Sequence, residues 1–263
     1  MSYLDEMIED VIFPPSDLYS DEPPLETEFH LRQLLLLIQA LEWYWKERQD
    51  FYAFGNLTIY YSPRQRKSEN FRGPDFFVVL GTERKPRKSW VVWEEDGKYP
   101  NVIVEILSPK TASTDRGLKK QIYQDIFRTP DYFWFDPYSM EFKGFRLVGG
   151  QYEELEANEQ EWLWSEQLEL YLGIYDSQLR FFTPSGELLL TPVEAAEIEI
   201  QKAEVEKQRA EVEKQRAEAE KQRAEVEKQR AEAERQRAEQ ERQQKEELEA
   251  LLKQYRERFG ELS

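Results

Sequence analysis

Residues 101–127, NVIVEILSPKTASTDRGLKKQIYQDIF, decide the fold. Val102 to Leu107 reads as a core strand, yet Glu105 stands in its middle. Burying an isolated carboxylate costs on the order of several kcal/mol, so Glu105 needs a partner. That partner is either a lysine or arginine in an ion pair, or a metal ion. Downstream, the pattern predicts a helix from about Asp115 to Phe127, capped by Thr114 or Asp115. On it Lys119, Ile122, Tyr123 and Ile126 recur at i, i+3, i+4 and i+7, which carries Lys119 onto the buried stripe. Lys120 falls with Gln124 on the polar side. Upstream, a Gly73-Pro74 break sets Asp75 at the mouth of the apolar run Phe76 to Leu80.

Further strands are expected at Tyr52–Tyr61, weakly at Val91–Trp93, and at Tyr132–Phe135. A hairpin is expected through Gly149-Gly150, and a strand pair in LRFFTPSGELLL (residues 179–190) turned by Pro-Ser-Gly. A helix precedes them all, capped by Thr27 and apolar at Leu31, Leu34, Leu35, Ile38, Leu41 and Trp45. Helix, strands, helix, strands gives an α/β (α+β) class with one mixed sheet. The organisation reads as an irregular acidic arm over 1–24, a domain over 25–191 and a long charged helix over 192–263. In that last segment RAEVEKQ and near copies repeat every seven residues, all strong helix formers. Its a/d-like seam, Val205, Gln208, Val212, Gln215, Ala219, is polar at alternate positions, so a coiled coil is open beside a lone helix. Leu248, Leu251, Leu252, Tyr255 and Phe259 form an apolar stripe near the end.

The formal net charge of −17 argues against broad, passive nucleic-acid binding. Charge is uneven, however: Ser62 to Lys88 holds eight basic residues against three acidic ones. Arg64, Arg66 and Lys67 lead that patch as candidates for phosphate contact. The absence of cysteine excludes disulfides and thiolate metal sites. No apolar run is long enough to span a bilayer, and the N-terminal stretch lacks the order of a signal peptide. A soluble, cytoplasmic protein with no membrane partner is expected.

Asp75, Glu105 and Lys119 together suit divalent-metal chemistry. Mg²⁺ takes oxygen ligands and commonly uses one or two carboxylates plus substrate phosphate oxygens. The open alternative is a buried Glu105–Lys119 ion pair with Asp75 as a turn residue. The four stretches GPDFFVV, YPNVIVEILSPKTASTDRGLKKQIY, the run Asp115-Arg116-Gly117-x-Lys119-x-x-x-Tyr123 within it, and TPDYFWFDP occur in order. Together they resemble the Uma-type restriction endonucleases of the PD-(D/E)XK nuclease superfamily, over about Thr27 to Leu190. The resemblance implies a restriction-endonuclease-like mixed sheet flanked by helices, and hydrolysis of DNA phosphodiester bonds with Mg²⁺ or Mn²⁺. It places the motif aspartate on Asp75 and the strand glutamate on Glu105, both as metal ligands, and the lysine on Lys119. The superfamily's usual lysine, two residues after the glutamate, falls on Leu107. Lys110 is a second lysine candidate for substrate contact, and Glu28 matches an occasional helical acid that touches metal or water. His30, the single histidine, and Tyr123 read as structural, and Asp136 as a strand-ending turn residue. Two functions follow: a metal-dependent endonuclease whose tail joins two copies as a homodimer, or a catalytically weak nuclease fold that acts as a binding or scaffolding module through its helix.

Overall fold

A computed structural model describes residues 18–20, 22, 25, 27–62, 73–108 and 115–260. The candidate phosphate contacts Arg64, Arg66, Lys67 and Lys110 lie outside these residues, as does the cap Thr114. The chain divides into two compact units, Met1–Ala196 and Glu197–Ser263. No helix among the described residues is long and apolar enough to cross a membrane.

The first unit is built on a mixed sheet of six strands among the described residues. In spatial order these are β1 (Phe51–Gly55), β3 (Phe76–Leu80), β5 (Val102–Ile106), β6 (Asp131–Asp136), β7 (Glu141–Val148) and β8 (Gln151–Glu154). Only β5 and β6 run parallel, with Glu105 opposite Trp134. Both faces of β5 are covered, which is why it reads as an unbroken apolar run. Val102, Val104 and Ile106 join one core cluster with Leu34, Leu37 and Leu41 of α1 (Glu28–Tyr44). Ile103 and Leu107 join the other, with Tyr123 and Phe127. The two-residue period of a strand therefore points Glu105 into the second cluster, on the same face as Leu107.

The expected strand Tyr52–Tyr61 is two. Asn56 turns out with a φ of 48°, ending β1, and β2 (Ile59–Tyr60) pairs in parallel with β4 (Trp90–Val91) in a separate ribbon. The Gly149-Gly150 hairpin forms as read, both glycines having positive φ. The Pro-Ser-Gly turn carries the bridge Phe182–Leu188, with the Thr183 and Leu189 amides donating to the Glu187 and Phe181 carbonyls, rather than a full strand pair. The partner of β11 (Gln178–Phe182) is instead β10 (Leu170–Tyr175), which pairs also with β9 (Leu163–Ser165).

Thr27 caps α1, accepting from the His30 amide as expected. The buried face is rotated from the apolar one, however. His30, Gln33, Leu34, Leu37, Ala40 and Leu41 face inward while Leu31 and Leu35 are exposed. Gln33 explains part of this: its amide exchanges two hydrogen bonds with the Leu179 backbone, at 2.8 and 3.0 Å, as a neighbouring strand would.

The long helix α3 (Pro192–Phe259) opens on a capping box, Thr191 and Glu194 each accepting from the other's amide. Glu194 also takes both terminal nitrogens of buried Arg180, at 2.9 and 2.8 Å. Burial pushes the Glu194 carboxyl up, but the Arg180 and Thr191 hydrogen bonds outweigh this and hold it below its ordinary value. The stability it contributes is present above the ordinary carboxylate range and is lost as pH falls through its lowered value. A chain ending after Ala196 is expected to keep the cooperative melt of the first unit. One ending after Thr191 loses Glu194, strands the Arg180 guanidinium, and should be about 2 kcal/mol less stable in urea. Equal urea midpoints for the two truncated chains would rule this out.

Candidate active site

Glu105 is fully buried, and its carboxylate is met from three sides. Lys119 Nζ lies 3.1 Å from Oε1 and 3.0 Å from Oε2. The Tyr123 hydroxyl donates to Oε1 at 2.6 Å. The Asp75 amide points at Oε2 at 3.4 Å, which brings the two acids side by side. Of the partners the sequence left open for Glu105, the lysine of the downstream segment is in place. That segment starts with a wide turn of π-helical geometry, Asp115–Lys119, before the short α2 (Lys120–Asp125). Such wide turns recur at functional sites, because they redirect side chains from a regular helix. Here Lys119 and Tyr123, four apart, both reach Glu105. Phe127 takes the buried place expected of Ile126, which is 44% exposed.

Asp75 stands where the sequence puts it, just before β3. Its Oδ2 accepts the Ile106 amide at 2.8 Å, tying it to the strand that carries Glu105. Its Oδ1 lies 3.1 Å from His30 Nε2. Burial pushes the Asp75 carboxyl up, but the His30 imidazole and the Lys119 charge outweigh burial and hold it below the usual aspartate range. Two close backbone approaches fix this corner. A Cβ on Gly55 would sit 1.9 Å from the Asp75 carbonyl oxygen, and one on Gly73 would sit 2.0 Å from that of Leu57. The Gly73 carbonyl in turn faces Lys119 Nζ at 3.5 Å.

Glu28 is not brought to this site. It is exposed and binds Arg32 one turn along, with Nε donating at 2.7 Å. The helical member is His30, two residues on and about 200° round the helix. From the sequence His30 reads as structural, because a lone histidine near a helix start usually is. The signal that could have found it is the spacing of His30, Gln33, Leu34, Leu37 and Leu41.

The described half of the basic segment is engaged within the fold. Arg84 pairs with Glu42, Lys85 with Glu83 and Arg87 with Glu95, while Lys88 lies over the Tyr19 ring. Asp136 accepts the amides of Tyr138 and Ser139, the turn role expected of it. Lys120 is no simple surface lysine: its Nζ lies 3.3 Å from the Phe145 ring centroid, and burial lowers its pKa despite Glu154. Lys120→Ala is expected to cost about 0.5–1 kcal/mol through that contact and to leave the Glu105 cluster intact. A chemical melt unchanged from wild type would rule the contact out.

The Uma2 family model, described as "Putative restriction endonuclease", matches residues 17–179. The chain belongs to this family. All members of the Asp75, Glu105, Lys119 and Tyr123 cluster fall within the matched residues. The solved structures include one described as "a putative nuclease belonging to DUF820", from Anabaena variabilis ATCC 29413. It is 16% identical, with a TM-score of 0.44, and the match covers 59% of this chain and 83% of that chain. No curated protein matches the chain. Leu107 is packed in the apolar cluster beside Tyr123 and Phe127, on the same face as Glu105. A strand lysine there would enter that cluster; the cation beside Glu105 is carried by Lys119 instead.

Proposed function

We propose that this chain is a cytoplasmic, metal-dependent endonuclease that hydrolyses DNA phosphodiester bonds, works as a homodimer, and uses Asp75 and Glu105 to hold Mg²⁺ or Mn²⁺. The observation that carries this reading is the fully buried Glu105 carboxylate, adjoining Asp75 and facing Lys119. Two adjacent carboxylates fit a hard cation that prefers oxygen ligands. Among the described residues no group of three His, Cys, Asp or Glu forms a cage, so phosphate oxygens and water would supply the remaining ligands. When bound there, the cation supplies polarisation of the phosphate and acidification of a water. Lys119 holds a positive charge against both acids and offsets negative charge that develops on the phosphate. Tyr123 and the Ile106 amide fix the two carboxylates in place, and His30 holds the far oxygen of Asp75.

Supercoiled and linear plasmid titrated with Mg²⁺ and Mn²⁺ test this directly, with calorimetry of the metal alone. Cleavage that depends on metal, and metal binding that disappears in Glu105→Ala, are expected. The same metal affinity in wild type and Glu105→Ala would reject Asp75 and Glu105 as the ligands. The scaffolding reading is favoured by one observation, that Arg84, Lys85 and Arg87 are bound to carboxylates of their own domain. A wild type that leaves plasmid intact with both metals would select it.

A further inference from the structure

The long helix carries its charges in fixed places. Ile198, Val205, Val212, Ala219, Val226 and Ala233 recur every seven residues, and glutamine follows each of them three places on. On one flank every seventh residue from Arg209 to Arg237 is arginine. On the other, every seventh residue from Glu204 to Glu239 is glutamate. Written as a heptad, the seam is a and d, arginine is e and glutamate is g. Ile198, Val205, Val212 and Val226 are exposed. Among the described residues 198–239 of α3 no ion pair forms; the pair Arg242–Glu246 lies beyond the repeats. The flanking charges of 204–239 are therefore not consumed in ion pairs of their own helix.

These signs discriminate between partners. When two identical heptad helices run parallel and in register, g of one faces e of the next heptad on the other. Every such step here sets glutamate against arginine, as Glu211 against Arg216 of a second copy. When they run antiparallel, g faces g and e faces e, so each step sets glutamate against glutamate or arginine against arginine. Like charges brought together are a strong veto on the wrong arrangement. We propose that residues 198–239 of α3 dock on the same segment of a second copy of this chain, parallel and in register, with Glu–Arg pairs flanking a valine, alanine and glutamine seam. The proposal rests on the homodimer reading above and adds its surface, direction and register. Leu248, Leu251 and Tyr255 stand one place off the seam and Leu252 two, so that stripe is not its continuation.

Because the chain has no cysteine, single cysteines report directly. Full-length Val212→Cys and Ala233→Cys, each oxidised mildly, are expected to form disulfide-linked homodimers. A mixture of the two, allowed to exchange first, should give no 212–233 product. A dominant 212–233 product means an antiparallel pair and overturns the proposal. Dimers in sedimentation that fail to cross-link at either position overturn the register while sparing the homodimer reading. A wild type that sediments as a monomer at every concentration overturns both. As an independent arm, Arg209→Glu, Arg216→Glu, Arg223→Glu, Arg230→Glu and Arg237→Glu combined makes both flanks acidic. Self-association should weaken about tenfold or more, and wild-type self-association should weaken with added salt. An unchanged dissociation constant in the five-fold variant would sink the charge argument.

Discussion

Replacing Lys119 by alanine is expected to end metal-dependent cleavage and to destabilise the metal-free domain by about 3–5 kcal/mol, the cost of stranding one partner of a buried ion pair. The size follows from burial: the Glu105 side chain has no exposure and that of Lys119 is 9% exposed. Tyr123 and the Asp75 amide remain as donors to Glu105, but neither carries a charge. The two effects are separable. On the proposed function, a divalent cation held by Asp75 and Glu105 would replace the missing charge, so Mg²⁺ should return part of the lost stability by mass action without returning cleavage. Urea melts with and without Mg²⁺ measure this. A variant that is as stable as wild type and still cuts would show that Lys119 neither neutralises Glu105 nor serves the reaction.

Arg87→Ala is expected to cost about 3 kcal/mol or more for the same reason, on a residue that from sequence alone belongs to a phosphate-binding patch. Its guanidinium meets Glu95 at 2.6 and 2.9 Å, donates to the Glu83 and Lys85 carbonyls, and lies over the Tyr52 and Trp90 rings at 4.6 and 4.8 Å. Only 4% of its side chain is exposed, with 13% for Glu95, so water does little to replace the lost partner. Burial already pushes the Tyr52 hydroxyl up to about 12 against the Arg87 charge, and the variant should raise it further. A phosphate-contacting arginine would behave otherwise, leaving stability unchanged and reducing the salt dependence of DNA binding. The thermal melt and a salt titration distinguish the two.

The acids and the lysine were legible because each breaks a pattern. Glu105 interrupts an apolar strand, Asp75 follows a Gly-Pro break, and Lys119 extends an apolar helical stripe. The helical direction of Lys119 held even though its turn is wider than the ideal one, because four residues still separate it from Tyr123. What stayed hidden are groups whose burial is satisfied by long-range contacts. Gln33 finds the Leu179 backbone 146 residues away, and Asp131 is buried against Arg146 and Ser165. Nothing in the local spacing announces such partners. The partners of Arg84 and Arg87 were hidden in the same way, since the acids that bind them come from α1 and from residues after β4.

Both side chains that complete Glu105 belong to one stretch of chain, Lys119 at the end of the wide turn and Tyr123 in the six-residue α2. A helix that short has almost no stability alone and persists only by docking. Proteins open in such units at free energies below that of global unfolding. Opening this unit would withdraw the cation and the phenol from Glu105 together, while β3, β5 and β6 kept their pairing. Hydrogen exchange at the amides of α2, rather than the melting temperature, therefore reports how often the site is whole. A charge borne on the strand could leave only with the sheet; a charge borne on α2 leaves when one short helix lifts.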